Sequence, residues 1–526
     1  MERWSPPVEL TRQEEMLMKR LKRVRALFGF LRQQRHVLFD DTFQDALAEM
    51  YRNTGAGDEP APPAMLCMAL LLQGYVGVSD AEAVECSVME LRWQMVLGCL
   101  GTTMPAFSQG ALQAFRERLI AHEMDRALLE RTVALVRAGT FTEAERKALS
   151  KAIRIAVDSR PLAGAGRVED TINLLGHAAR SVVRIVSKIT DRSEEEICRK
   201  AGAPLLLASS IKAGLDIDWS DARQKATAIE IVERQVSSLH RWVEEHLDAS
   251  VFEPLTPYIQ AIVQVRNQDL EKTESGVLQI RDGVAPDRRI SVEDAQMRHG
   301  RKSKTKRFDG YKEHIARDLD LPLVVACSVT PANRPEEEGA APIAEDIAAQ
   351  GLTISELHID RAYVNAPVVA DTLGAGGRVF AKPWGVRAGT GLFTKRDFKL
   401  DLRAKTITCP AGEVETFEPG STVEFDPEAC GQCRQRAMCT SAASGRGRSV
   451  SIAEDEALQK RFRRLQQTAP GRQTLRERVQ VEHALAHIAA RKGPTARYLG
   501  VRKNVFDLRR AAAIQNLEAA QRMLAA

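Results

Sequence analysis

The chain has 526 residues, of which 44% are hydrophobic and 28% charged, with a formal net charge of +5 and a pI near 8.7. That profile excludes a disordered or fibrous protein, and the length exceeds what one ordinary core fills, so about two to four domains are expected. The charge is too mild to identify a polyanionic partner, and local clusters must carry that question.

The first ten residues, MERWSPPVEL, lack a basic-then-apolar leader. The longest apolar run, AMLCMALLL, is about half the roughly 20 residues a membrane span requires. A cytoplasmic protein with no membrane partner is the expectation. Nine cysteines, an odd set in a long chain, argue against a disulfide framework and leave free thiols or a metal.

In chain order, residues 1 to about 145 show apolar positions at spacings of three and four, as in FQDALAEMYRN, AMLCMALLLQGYVG and MDRALLERTVALVRAG, and so predict helices. TGAGDEPAPP divides this region. Lys19, Lys22 and Arg23 share a face of an early helix, which suits either solvent or DNA. KAIRIAVDSRPLAGAG then alternates Ile153, Ile155 and Val157 with Arg154, Ala156 and Asp158, predicting a strand that ends at a Pro and Gly-rich turn just after Asp158. From Thr171 to about Ile280 the pattern is helical again. Strand character returns in DGYKEHIARDL, LPLVVACSVTPAN, TISELHIDRAYVN and GGRVFAKPW, with a helical APVVADTLGA before the last. A cysteine-bearing segment follows, and the chain finishes in helices. The expected fold class is an α/β core, a mixed sheet flanked and interrupted by helices.

Asp158 and Asp360 stand at the carboxyl ends of predicted strands, where open α/β sheets place ligand sites. A carboxylate there suits a hard cation such as Mg²⁺, although an aspartate at a strand end serves equally well as a helix cap or turn residue. In TLRERVQVEHALAH, Glu482 follows Arg478 by four residues on one helix face. His483 and His487 share a face but lack the glutamate of a zinc-protease helix, and read as ordinary helix residues.

Taken in order, AVDSRPLAGAG, RISVEDAQMRHGRKSKTKRFDGYKEH, VTPAN, ELHIDRAY, CPAG with CGQCRQRAMC, RVQVE and RYLGVRKNVFDLRRAAAIQNL resemble a DDE transposase of a bacterial insertion sequence, most closely the eleven-eighty-two group. The resemblance spans roughly residues 30 to 520. It implies an RNase H-like catalytic core in which Asp158, Asp360 and Glu482 form an acidic triad holding two Mg²⁺ ions, with Mn²⁺ as a substitute. It implies cleavage at transposon ends and strand transfer into target DNA, and a homodimer on DNA. Arg478 and Glu482 match the Tyr-x2-Arg-x3-Glu-x6-Lys signature of related transposases, while its tyrosine and lysine positions are Leu475 and Ala489 here. Arg491 and Lys492 lie close by as alternative phosphate contacts. The expected organisation is a helical N-terminal domain (1–145) for DNA binding or dimerisation and a catalytic core begun by 146–170 and 285–395. A helical insertion occupies 171–284, a cysteine-bearing insertion 396–446, and the helical C-terminal part 447–526 carries the glutamate.

Two basic clusters point to double-stranded DNA, both terminal inverted repeats and target. Between Arg298 and Lys312 seven Lys or Arg residues meet one acid, Asp309, with Phe308 and Tyr311 interleaved. Of these, Arg301, Lys302, Lys304, Lys306, Arg307 and Lys312 are the candidate contacts. Near the end, Arg491, Lys492, Arg497, Arg502 and Lys503 flank RYLG. Such contacts are mostly to phosphates and make binding salt-dependent.

Cys409, Cys430, Cys433 and Cys439 follow the spacing C-x20-C-x2-C-x5-C in a Gly and Pro-rich stretch. Four thiolates there suit one structural Zn²⁺, against the alternative of reduced structural cysteines. The other five cysteines lie in apolar contexts and read as core. Two further functions stay open: a non-catalytic, element-derived DNA-binding regulator, and a stand-alone metal-dependent DNA nuclease. The expected location is the cytoplasm, in association with the nucleoid.

Overall fold

The computed structural model describes residues 2–21, 25–51, 60–140, 151–248, 251–385 and 391–524; Lys22 and Arg23 lie outside these. The chain divides into two units, Met1–Ile153 with Asp158–Thr353 and Val481–Ala526, and Arg154–Val157 with Ile354–Gln480.

The first unit opens in helices. Thr11 and Glu14 form a reciprocal capping box that starts the helix Arg12–Arg20. The helix Pro63–Val76 is buried at every position from Pro63 to Gln73 and ends at Gly77, whose φ of 84° supplies the left-handed turn. Apolar on all sides, it packs against the last helix, Val501–Leu524, which also covers the helix Met124–Thr140. No single helix among the described residues is long and apolar enough to cross a membrane; Pro63–Val76 and Asp80–Met89 meet that composition only as a pair bent by 103°.

The strands, in chain order, are β1 (Ala152–Ala163), β2 (Leu270–Lys272), β3 (Leu278–Ile280), β4 (Arg298–Arg301), β5 (Arg307–Asp318), β6 (Val324–Pro331), β7 (Thr353–Ile359), β8 (Arg378–Phe380), β9 (Lys399–Asp401), β10 (Thr406–Thr408), β11 (Val414–Thr416), β12 (Thr422–Glu424) and β13 (Ser449–Ser451). Six form one mixed sheet of order β4-β5-β1-β7-β8, with β6 also on β5. Both β4 and β6 are antiparallel to β5, whereas β7 and β8 are parallel and joined through the helix Pro367–Gly374. β6 is a near-continuous apolar run, buried from Val324 to Thr330, because the last helix and the helix Ala340–Ala349 both pack on it. A mixed α/β protein with a helical N-terminal region is what the sequence predicts.

Two expectations change. β1 does not end at Asp158 but continues to Ala163, so Asp158 lies mid-strand. The turn signal of RPLAGAG is overridden by distant partners: Ala163 N donates to Pro494 O (2.9 Å), Ala496 N to Ala163 O (2.7 Å) and Gly164 N to Asp309 O (2.8 Å). Here β1 and β5 approach so closely that a Cβ on Gly310 would meet Gly164 N and Leu162 O at 2.3 Å, and its φ is +145°. The insertion at 171–284 is not wholly helical. The helices Thr171–Thr190, Ala222–His246 and Thr256–Asp269 share a core including Leu174, Val182, Val236 and Val265, and β2 and β3 close it as an antiparallel hairpin.

In the second unit, β9, β10 and β11 form an antiparallel sheet and β12 pairs with β13. Their core is small: Phe398, Ile407, Phe417, Val423, Phe425, Val450 and Ile452.

Candidate active site and nucleic-acid interface

Side chains two apart on a strand share a face, so Arg154, Ala156 and Asp158 line one face of β1, and Glu356, His358 and Asp360 line one face of β7 and its continuation. Asp360 is extended (φ −76°, ψ 160°) and caps a short 3₁₀ turn, Arg361–Tyr363, accepting from Arg361 N at 2.7 Å. Asp158 is held in the same local manner, accepting from Ser159 N at 2.8 Å. Both carboxylates are half-buried.

Behind Asp360 on β7 lies a charge cluster that no sequence motif announced. Arg154 Nε donates to Glu356 Oε2 at 2.9 Å, and Arg378, His358 and Glu356 are linked in turn, while Arg154 also pairs with Glu477. Burial alone would raise the Glu356 pKa, but hydrogen bonds from Arg154 and His358 and the charges of Arg154 and Arg378 outweigh it and hold the carboxyl below its usual range. Burial lowers the pKa of His358, whose ring stacks on Phe380 at 4.6 Å. The period of two running through ELHID was the available signal, since it places Glu356 and His358 beside Asp360.

Glu482 sits in the first turn of the helix Val479–Lys492. That helix buries Val481, Ala484, Leu485 and Ile488, a single stripe, and Glu482 falls outside it on the exposed side. His483 and His487 are exposed as well. Asp158 and Glu482 belong to the first unit and Asp360 to the second. Among the described residues no three His, Cys, Asp or Glu side chains are gathered as a metal-holding group.

Lys492 continues the buried stripe one turn beyond Ile488, and this decides its role. Its Nζ lies 2.6 Å from Glu313 Oε1 and 2.9 Å from Asp507 Oδ2. Arg160 Nε joins Glu313 Oε2 at 2.6 Å, and Arg510 Nη2 joins Asp507 Oδ1 at 2.6 Å. Burial would strip the proton from Lys492, but the two carboxylates raise its pKa instead. A cation so enclosed faces no phosphate, which corrects the expectation for Lys492. Arg502 is similarly engaged, by Asp125 and by Ile120 O (2.7 Å), and Arg491 pairs with Glu518 (2.7 Å) beside the Tyr75 ring. Arg478 is half-buried, Arg497 is exposed and donates to Val78 O (3.1 Å), and Lys503 is exposed.

The basic segment of 298–312 is an antiparallel hairpin whose register pairs Arg298 with Gly310 and Arg301 with Arg307. Arg301, Lys302, Lys304, Lys306 and Arg307 cluster at its exposed tip. Its base is structural. Arg298 is buried against Asp287 (2.9 Å), Tyr311 OH donates to Asp294 Oδ2 (2.5 Å), and Lys312 Nζ donates to Arg334 O (2.7 Å). Lys312, whose pKa burial lowers, therefore belongs to the scaffold rather than to the exposed cationic tip.

Cys409, Cys430, Cys433 and Cys439 line one cavity of about 570 Å³ in the second unit. The remaining five cysteines lie elsewhere and are free: Cys67, Cys198 and Cys327 are buried, and Cys86 and Cys99 half-buried.

Two families match the chain. Residues 408–520 match the family described as Transposase DDE domain, and residues 17–118 the one described as Transposase domain (DUF772). The first span contains the four cysteines and Glu482 but neither aspartate. No curated protein and no solved structure matches the chain. Together the two family matches support a DDE transposase, a class that acts on DNA and is generally dependent on divalent metal.

Proposed function

We propose that this chain is a DDE transposase of the eleven-eighty-two insertion-sequence group, built on an RNase H-like core, that cuts DNA at transposon ends and joins them to target DNA, with Asp158, Asp360 and Glu482 as its acidic triad. The observation that carries the reading is a constant offset along two strands. Thr353 N donates to Lys151 O at 2.8 Å, and Arg154 pairs with Glu356, 202 positions away. Asp158 and Asp360 have that same separation in sequence, Asp158 four residues beyond Arg154 on β1 and Asp360 four residues beyond Glu356, just past the end of β7.

The donor chemistry fits the metal this class uses, since three carboxylates are hard oxygen ligands suited to Mg²⁺ or Mn²⁺. Two such ions, when bound, activate the attacking oxygen and stabilise the leaving one. The remaining work belongs to the chain. Ser159 N and Arg361 N orient the two aspartates, and Glu482 is presented by the first turn of a helix anchored through its opposite, buried face. Phosphoryl transfer asks for positioning and charge neutralisation rather than a protein nucleophile. In the first step water forms a new P–O bond as the P–O3′ bond breaks, freeing a 3′-hydroxyl. That hydroxyl then attacks a target phosphodiester, forming one P–O bond and breaking another. The exposed tip of the β4–β5 hairpin, with Arg478, Arg497 and Lys503, supplies cations for the DNA backbone. Holding two ends at once calls for a homodimer on DNA, in the cytoplasm at the nucleoid.

The test is incubation with DNA bearing the element's terminal inverted repeats and Mg²⁺. Cleavage followed by joining is expected; cleavage alone would indicate a nuclease, and binding alone a regulator. Asp158→Asn, Asp360→Asn and Glu482→Gln should each abolish cleavage and leave DNA binding intact. Near-normal cleavage by all three variants would overturn the triad.

A further inference from the structure

The strands β9 to β13 make a module whose own apolar core is too small to be self-sufficient. Seven buried side chains hold together a stretch of more than 50 residues, with strands of only three residues each. Domains this small ordinarily depend on a disulfide or a metal. Cys409, Cys430 and Cys439 pack directly against that core.

Each cysteine is presented by a tight local device. Cys409 opens the turn between β10 and β11: its N donates to Glu413 O (2.8 Å), and its carbonyl accepts from Gly412 N (3.0 Å), with Gly412 at φ +104°. Asp426 caps the short helix Pro427–Gln432 through Glu428 N and Ala429 N, and this places Cys430 inside the helix and Cys433 just past its end. Cys433 Sγ accepts from Gln435 N at 3.4 Å, which fixes where its sulfur points. Cys439 ends the next helix, Arg436–Cys439. The four thus come from a hairpin turn and two helix ends onto one cavity, which Arg434, Arg436 and Arg448 also line.

We propose that Cys409, Cys430, Cys433 and Cys439 bind one structural Zn²⁺ as a tetrahedral four-thiolate site that staples the β9–β13 module. Four soft sulfur donors select zinc over the hard cations suited to the carboxylate triad. The thiols are free and half-buried around an open cavity, so the ion would draw them inward, and four thiols give up their protons as it binds. The assignment is independent of DNA chemistry, because it is read from metal content alone.

The test uses the full-length protein, purified reduced and without chelator. Elemental analysis should find about one zinc per chain. Cobalt(II) titration of the metal-stripped protein should reach one equivalent with the intense sulfur-to-cobalt charge-transfer absorption of a tetrahedral thiolate site. Cys430→Ser with Cys433→Ser should weaken zinc binding by more than about a hundredfold, whereas Cys86→Ser should retain it. Substoichiometric zinc together with no charge-transfer band on wild-type protein would overturn the proposal, as would iron in place of zinc or a disulfide among these four residues. The cobalt titration needs no variant, so a misfolded mutant leaves the outcome decided.

Discussion

Lys492 and Glu313, 179 positions apart, meet at 2.6 Å with their side chains 6% and 0% exposed, at the centre of an ionic chain running from Arg160 through Glu313, Lys492 and Asp507 to Arg510. It ties β1, which carries Asp158, to the helix that carries Glu482. Breaking a buried ion pair by removing one partner leaves an uncompensated charge. Lys492→Met should therefore cost about 3–5 kcal/mol of stability, read by chemical denaturation. A loss within experimental error would show that the network contributes nothing net.

His314 gives the fold a pH dependence of definite sign. It is buried on β5 with Nε2 2.9 Å from Thr330 Oγ1, and burial, aided by the charge of Lys312, pushes its pKa down from 6.5 to about 3. Between those values the unfolded chain binds a proton that the folded chain refuses. Its contribution is undiminished above 6.5 and falls as pH drops toward 3, with a limiting slope of about 1.4 kcal/mol per pH unit. His314→Gln should flatten the stability profile between about pH 6 and pH 4 by that amount. A wild-type profile in the variant would refute the buried neutral imidazole.

The hairpin tip makes a prediction about salt. Replacing Arg301, Lys302, Lys304, Lys306 and Arg307 with glutamine should weaken binding to any duplex. It should also reduce the slope of log affinity against log salt by about 0.9 for each phosphate that is no longer neutralised. Folding stability should stay within about 0.5 kcal/mol, because these side chains are exposed. Lys312→Gln, at the hairpin base, should leave the salt slope unchanged. An unaltered slope in the five-fold variant would remove the hairpin from the interface.

Local periodicity carried much of this protein. The alternation in TISELHID is enough to make a strand, to put Glu356, His358 and Asp360 on one face, and to leave Asp360 at its end, because these depend only on neighbours in the chain. The stripe Val481, Leu485, Ile488 likewise makes a helix, and extending it by four residues would have exposed Lys492 as a buried lysine. The α/β character and the helical N-terminal region are legible for the same reason, whereas the hairpin of 298–312 showed in the sequence only as a cluster of basic residues.

What periodicity could not supply was the identity of partners far apart in sequence. β1 outruns its own turn signal because Pro494, Ala496 and Asp309 complete its hydrogen bonds, and Gly310 is fixed by a close approach to residues about 150 positions away. Charge type in the sequence is blind to burial: Lys302 and Lys492 are the same residue, one in water and one enclosed by two carboxylates. Burial is a property of the folded packing, and a desolvated cation must find a partner wherever the chain brings one. The sequence alone determined which residues could bind DNA, metal or each other, and only the tertiary structure decided which of them are spent on holding the fold.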